Sequence, residues 1–274
     1  RGHFATPSLG EEQMTSIAEL NKYAADLEQL VGLRSYPIAI KLLKSESEIP
    51  EGAVRPKKDR GEHYAMCQAF SLARRQRMTV ALFVEDHWCF APIISYGLVD
   101  PPQDYLEGFS KSFFLADKEV AAQRAQEVTR LPVGEYPGMA IGPLKDVNFE
   151  PDVVMIYCTP GQLRHLLISL RYLHGTQVTF TLDPWDSCVR SILPSFLNQE
   201  PAVSIPDPGD FERAGAGEDE LVFSVPTAML EELMTGLYHF EEIGMGFRKF
   251  RLSMEANFKQ PPFYEEYFKK WGLD

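Results

Sequence analysis

The sequence predicts an α/β protein in which a mixed sheet is flanked by helices. Short apolar runs alternate along the chain with amphipathic segments of helical period, which is the pattern of strands packed against helices. One of these runs, Val153–Cys158, is apolar without interruption, as in a strand buried on both faces. With 45 % hydrophobic residues in 274, the chain can bury a large core.

The first half of the chain predicts three helices and two strands in alternation. Residues 12–32 carry apolar side chains at helical spacing, which indicates an amphipathic helix. A strand follows at residues 37–43, then a helix at 67–77. A second strand at 79–84 precedes a helix at 90–98, where the proline lies in the first turn and is tolerated.

The second half begins with residues 101–131, whose many charges predict exposed helical structure. A strand at 139–144 and the apolar run already described lead to a helix at 162–174, with Gly175 as its C-cap. Residues 178–182 are predicted to form the next strand. The remaining predicted elements are a helix from 188 to 197, strands at 202–205 and 221–225, and a helix from 227 to 240.

The order strand, helix, strand, cysteine, helix occurs twice, at residues 33–100 and 139–198, which predicts an internal pseudo-duplication. The interval from Thr79 to Cys89 equals the interval from Val178 to Cys188. Both cysteines would then follow a strand at equivalent places and could face each other. We expect a single domain over residues 12–260, preceded by an N-terminal extension (1–11) and followed by a C-terminal tail (261–274).

Charge and composition exclude two classes of partner. The net charge of −12 opposes binding to nucleic acid or to an anionic membrane surface. No apolar run approaches the roughly 20 residues that span a bilayer. Four cysteines without paired spacing favour a reducing compartment over a disulfide framework. We therefore expect a cytoplasmic protein. We also expect it to form a homodimer and to act on a small molecule.

Three cysteines, Cys67, Cys89 and Cys188, each stand at a predicted helix start. The dipole of a helix favours negative charge there, and hence a thiolate. Three converging thiolates would leave one coordination position open on an iron–sulfur cluster, which we expect to be 4Fe-4S, or on zinc as the alternative. The remaining cysteine, Cys158, ends the strongest apolar run and is interpreted as a core residue.

Other side chains near these cysteines are candidates for catalysis and binding. His87 and Asp186 each precede a cysteine by two residues and are candidate acid–base groups or fourth ligands. Arg190 and Arg213 could bind a carboxylate bidentately. Trp185 could shield a cluster or stack on a planar substrate, although core packing is the commoner role of a tryptophan.

Several short motifs resemble a bacterial and archaeal family, domain of unknown function 169, also named ArCR. They occur in order between about residues 30 and 240: Met66-Cys-Gln-Ala, Cys89 before a helix ending in Tyr96-Gly-Leu, Ile141-Gly-Pro-Leu, Pro151-Asp-Val-Val, Ser187-Cys-Val and Phe223-Ser-Val-Pro. The resemblance implies that Cys67, Cys89 and Cys188 are the family-type cysteines and that Cys158 is not. Many relatives carry additional cysteines in the loop matching residues 208–215, where this chain has none.

These observations lead to three hypotheses about function. The first is an iron–sulfur enzyme of anaerobic small-molecule metabolism, whose open cluster site acts as a Lewis acid in a hydratase, dehydratase or isomerase reaction. The second is a non-catalytic metal- or cluster-binding sensor or accessory protein. The third is a zinc-dependent hydrolase that uses the same three ligands.

Overall fold

The protein is built on a six-stranded sheet. A computed structural model describes residues 15–175, 177–247 and 262–273. The strands in chain order are β1 (Ile38–Leu43), β2 (Val80–Phe83), β3 (Gly138–Pro143), β4 (Val153–Cys158), β5 (Ala202–Ser204) and β6 (Leu221–Pro226). Across the sheet their order is β2-β3-β1-β4-β6-β5. Every pair of these strands is antiparallel rather than mixed, and parallel pairing in the described chain is limited to two isolated bridges.

The sheet consists of two halves with the same strand order. In each half the first strand lies at the centre, the third lies beside it, and the second forms the edge. The halves meet where β1 pairs with β4, a seam that joins Ile38–Ile40 to Val153–Met155. This symmetry divides the chain between β3 and β4, whereas the predicted repeats placed β3 in the second unit. An origin by duplication stays a prediction.

The prediction of a strand at residues 178–182 is wrong. The described part of this segment has no ladder hydrogen bonds, and the side chains of Phe180 and Leu182 are 40 % and 47 % exposed. Because this segment is not part of the sheet, its alternating apolar side chains have no sheet face on which to be buried. The edge position beside β6 is taken by β5, so the matching intervals to Cys89 and Cys188 do not reflect matching strands.

Helices cover both faces of the sheet. One face carries α1 (Ile17–Val31), α6 (Pro160–Leu170) and α10 (Leu230–Glu242). The opposite face carries α2 (Met66–Gln76), α7 (Ser187–Arg190), α8 (Leu193–Asn198) and α9 (Pro208–Ala214). Alternation along β4 divides its side chains between the two cores, so that Tyr157 faces α2 and Cys158 faces α6.

Local sequence signals account for the helix ends on the first face. Ser16 and Glu19 form a capping box at the start of α1, and Thr159 and Gln162 form another at the start of α6. Helix α6 ends at Leu170, four residues before the predicted end, and Gly175 closes the following turn with a left-handed φ of 66°. Helix α10 packs against α6 at Gly236, where a Cβ atom would lie 2.0 Å from the carbonyl oxygen of Ser169.

The segment predicted as exposed and helical is divided into several parts. After α3 (Phe90–Ser95), it forms α4 (Gln103–Leu106) and α5 (Lys118–Glu127), with turns at residues 107–114 between them. These turns bury Lys111, although the adjacent Phe109 and Phe113 are exposed. The last described element is α11 (Pro262–Trp271), while the predicted N-terminal extension lies outside the described residues. No helix in the described ranges is long and apolar enough to cross a membrane.

Candidate functional site

Three of the four cysteines line one cavity. Cys67 is the second residue of α2, Cys89 immediately precedes α3, and Cys188 lies in α7. The cavity has a volume of about 400 Å³ and lies on the sheet face covered by α2, α7 and α9. Cys158 belongs to the core on the opposite face, which agrees with its interpretation as a core residue.

Hydrogen bonds between two distant segments position Cys67 and Cys89. The side-chain oxygen of Gln68 accepts a hydrogen bond from the backbone N–H of Ala65 at 2.8 Å, which closes the first turn of α2. The same oxygen accepts a bond from the indole Nε1 of Trp88 at 3.2 Å. One glutamine therefore orients the helix that carries Cys67 and the chain that carries Cys89.

One carboxylate holds the other wall of the cavity together. Asp207 accepts a hydrogen bond from the backbone N–H of Ser187 at 3.0 Å, at the start of α7, and lies 3.1 Å from the hydroxyl oxygen of that serine. It also accepts the backbone N–H of Asp210 at 3.0 Å and so caps α9. The starts of α7, which carries Cys188, and α9 are thereby fixed to each other. Tyr96 adds a third link by donating its hydroxyl to the carbonyl oxygen of Cys188 at 2.8 Å.

The surroundings of the cysteines favour thiols rather than the predicted thiolates. Burial, together with the charges of Asp210 and Asp207, raises the pKa of Cys67 to about 12. Burial also raises the pKa of Cys89 and takes that of Cys188 well above its usual value. Helix-start geometry is present, but burial outweighs it. Cys67 accordingly donates its S–H to the carbonyl oxygen of Gly209, at 3.8 Å.

The structure brings three further predicted residues to this cavity. Asp186, Trp185 and Arg213 all line it. Asp186 adopts a left-handed φ of 52° as the residue before α7, and its carboxylate is paired with the ammonium group of the buried Lys111. The guanidinium of Arg213 lies over the ring of Trp88, 4.9 Å from its centroid.

Two predicted site residues lie elsewhere. His87 is buried outside the cavity lining, and burial lowers the pKa of its imidazole to about 4. Neither of its ring nitrogens has a hydrogen-bond partner among the described residues. Arg190 pairs with Asp183 at 2.5 Å and lines a different cavity, beside β5. The structure therefore brings neither residue to the cysteines.

The comparisons with known proteins agree with the motifs. A family model described as domain of unknown function 169 (DUF169), uncharacterised ArCR, matches residues 26–236. The chain belongs to this family. The DUF169 chain is also similar to the uncharacterized protein MJ0308 of Methanocaldococcus jannaschii. The two are 23 % identical over 231 residues, which cover 83 % of this chain and 97 % of the relative. No solved structure matches the chain at a significant level.

Sequence reasoning about this DUF169 protein missed Lys111, Asp207 and Phe114. Lys111 is a single lysine between exposed phenylalanines, and nothing in the sequence shows that it turns inward to meet Asp186, 75 residues away. Phe114 packs on Trp185 with ring centroids 5.3 Å apart and helps to form the cavity wall. A usable signal existed for Asp207, because Asp-Pro-Gly-Asp is a typical helix N-cap sequence.

A buried carboxyl group lies behind the cavity wall of the DUF169 chain. Asp210 is 1 % exposed and accepts hydrogen bonds from the hydroxyls of Ser187 and Tyr157. Burial raises its pKa to about 6, and the neighbouring Asp207 acts in the same direction. The ionised form of Asp210 therefore lowers the stability of the folded state at neutral pH.

Replacing Asp210 by Asn should change how stability depends on pH. Because the folded-state pKa is raised, the native protein holds more protons than the unfolded chain between about pH 4 and pH 6, and this group lowers stability as pH rises through that window. We expect Asp210→Asn to gain stability relative to wild type from pH 4 to pH 7, by up to about 3 kcal/mol. Urea unfolding across this range measures the difference. A difference that is constant with pH would contradict the assignment.

Proposed function

We propose that the protein is an iron–sulfur enzyme whose three-cysteine cavity holds a cluster with one iron open to a small-molecule substrate. The observation that supports the proposal is the common cavity of Cys67, Cys89 and Cys188, three residues that are far apart in sequence. Apart from these three, the cavity lining contains no further cysteine. A cluster held there would keep one iron without a protein thiolate.

The arrangement of donors favours a cluster over a single zinc ion. Around tetrahedral zinc, with sulfur at about 2.3 Å, the ligand atoms lie within about 4 Å of one another. In the part of the chain that the structure describes, no group of three or more His, Cys, Asp or Glu side chains is placed to hold a metal ion. In a cluster each thiolate binds a different iron, so the sulfur atoms stand farther apart. The three thiols share one cavity without the close grouping that zinc requires, which is why we propose a cluster rather than zinc.

Binding requires the three thiols to lose their protons, and the chain supplies one cation that assists. Arg213 lowers the pKa of both Cys67 and Cys89, against the stronger effect of burial. Most of the stabilisation of the thiolates would therefore come from the positive charge of the bound metal. The bound cluster supplies a Lewis-acidic iron at the position that no cysteine occupies.

The chain's own residues supply the remaining functions of the proposed site. Asp186 is oriented by Lys111 and is the group that would accept or return a substrate proton in a lyase or isomerase reaction. Trp185 and Phe114 form an apolar wall that restricts water. The four cysteines are free, which agrees with the proposed reducing cytoplasm. A homodimer and a role in anaerobic metabolism are further parts of the proposal.

Anaerobic reconstitution with ferrous iron and sulfide tests the proposal. We expect the wild type to acquire iron, acid-labile sulfide and the broad visible absorption of a cluster. Separate Cys67→Ser, Cys89→Ser and Cys188→Ser variants should lose most of all three signals, because each thiolate is a ligand. Cys158→Ser is the matched control and should load like the wild type. Loading of a Cys67→Ser, Cys89→Ser, Cys188→Ser triple variant, or no loading of the wild type, would overturn the proposal.

A further inference from the structure

The cavity contains a second kind of chemistry, formed by cations and aromatic rings. Lys111 lies near the ring of Trp185, with Nζ 5.5 Å from the centroid, and Arg213 lies over Trp88. All four side chains line the cavity together with the cysteines. Its volume of about 400 Å³ is within the range of small-ligand sites, about 300–1,000 Å³.

The two cations differ in their partners. Lys111 is 4 % exposed and is neutralised by Asp186. Arg213 has no carboxylate partner within the described residues. It packs against Gly209, where a Cβ atom would lie 2.6 Å from Nη1. An arginine without a partner at a cavity wall presents its donors to whatever enters.

Two of the three acidic side chains that line the cavity are already engaged. Asp207 accepts the hydrogen bonds of two helix starts, which use its oxygens. Asp186 is paired with Lys111. Glu212 also lines the cavity and has no ion pair among the described residues. Arg213 is therefore the one cation of the lining without an ion pair in the described chain, and it acts on two of the thiols by favouring their ionised forms.

We infer that Arg213 anchors the carboxylate of a flat organic acid, whose apolar body lies between Trp88 and Trp185 beside the three cysteines. A guanidinium matches a carboxylate bidentately, and the aromatic walls match a planar apolar body. This inference names the substrate class of the proposed function and rests on it. It would also bring the substrate into the cavity that the proposed cluster shares.

Benzoate is the probe, with benzamide as the uncharged analogue of the same shape and inorganic phosphate as the other anion. Binding is measured by calorimetry and by the fluorescence of the cavity tryptophans. We expect saturable binding of benzoate, and much weaker binding of benzamide and phosphate. Arg213→Gln should weaken benzoate binding by about 10-fold or more. Arg164→Gln, which removes an exposed arginine on α6 at the opposite face, is the matched control and should leave binding unchanged.

The measurements are made on the cluster-loaded wild type and on the Cys67→Ser variant. Binding that depends on Arg213 in both proteins supports the inference, even if no cluster can be loaded, in which case only the proposed function fails. The inference is overturned if loaded protein ignores benzoate or if Arg213→Gln binds it normally. Preference for phosphate, or dependence on Arg190 instead, would equally overturn it.

Discussion

Replacing Arg74 by Met is expected to destabilise the protein by about 3–5 kcal/mol. Arg74 is 1 % exposed and forms a bidentate pair with Glu220, with both contacts of Nη1 at 3.1 Å. Its guanidinium also stacks on Tyr157, 3.8 Å from the ring centroid. The methionine would leave the carboxylate of Glu220 buried without a counter-charge, and that desolvated charge is the main cost. Urea unfolding of both proteins measures the loss.

Two further variants distinguish the cost of the unpaired Glu220 carboxylate from the cost of lost packing around Arg74. Arg74→Met combined with Glu220→Leu removes both charges and should recover a large part of the lost stability. Arg34 pairs with Asp219 at the shorter distance of 2.7 Å, but both side chains are more than half exposed. Arg34→Met should therefore have only a small effect, since water screens such pairs. A double variant no more stable than Arg74→Met would show that packing dominates.

In the metal-free folded protein, Cys67 is expected to react with iodoacetamide at least roughly a thousandfold more slowly than in the unfolded chain. The reactive species is the thiolate, and a pKa of about 12 leaves far less of it near pH 8 than an unperturbed cysteine has. Restricted access lowers the rate further, because Cys67 is 8 % exposed. Mass spectrometry of the alkylated peptides over time measures the rate for each cysteine.

Cys89 provides the internal comparison for this experiment. It is less buried than the other three cysteines, and both the backbone N–H of Ala91 and the charge of Arg213 favour its thiolate. Cys89 should be alkylated before the other three cysteines. In the Arg213→Gln variant, Cys89 should be alkylated more slowly than in the wild type, because the variant lacks the positive charge that favours the thiolate. The sample unfolded in urea is the control and should show similar rates for all four cysteines. Rapid alkylation of Cys67 in the folded protein would contradict the assigned burial.

The elements that the sequence predicted well are those with both a clear period and clear end signals. Strands β1 and β4 and helix α2 were predicted to within about two residues, because their apolar patterns match the faces that they bury. The segment at residues 178–182 alternates apolar and polar residues as a half-buried strand does, but no described strand lies beside it to accept its hydrogen bonds. Pairing is a property of the whole sheet, and a local pattern cannot reveal which segment will occupy the edge.

The parts of the candidate site that the sequence could predict are those that depend on residue type and local motif rather than on packing. The three cysteines could be separated from Cys158, because motif context differs from an uninterrupted strand. Their protonation could not be predicted, since burial depends on how α7 and α9 pack together. Lys111 was missed for the same reason, because its partner Asp186 becomes a neighbour only after folding. His87 was included only because it lies close in sequence to Cys89.

The cavity draws its thiols from both halves of the sheet, whose described strands pair with each other only along the narrow seam between β1 and β4. Cys67 and Cys89 follow strands of the first half, whereas Cys188 belongs to the second. A cluster bound to all three would cross-link segments about 100 residues apart and restrict the unfolded chain as a disulfide does. Loss of iron would then remove this restraint and raise the fraction of the protein that proteases can cut. In a cell short of iron, a fall in the amount of this protein would accompany any fall in its activity.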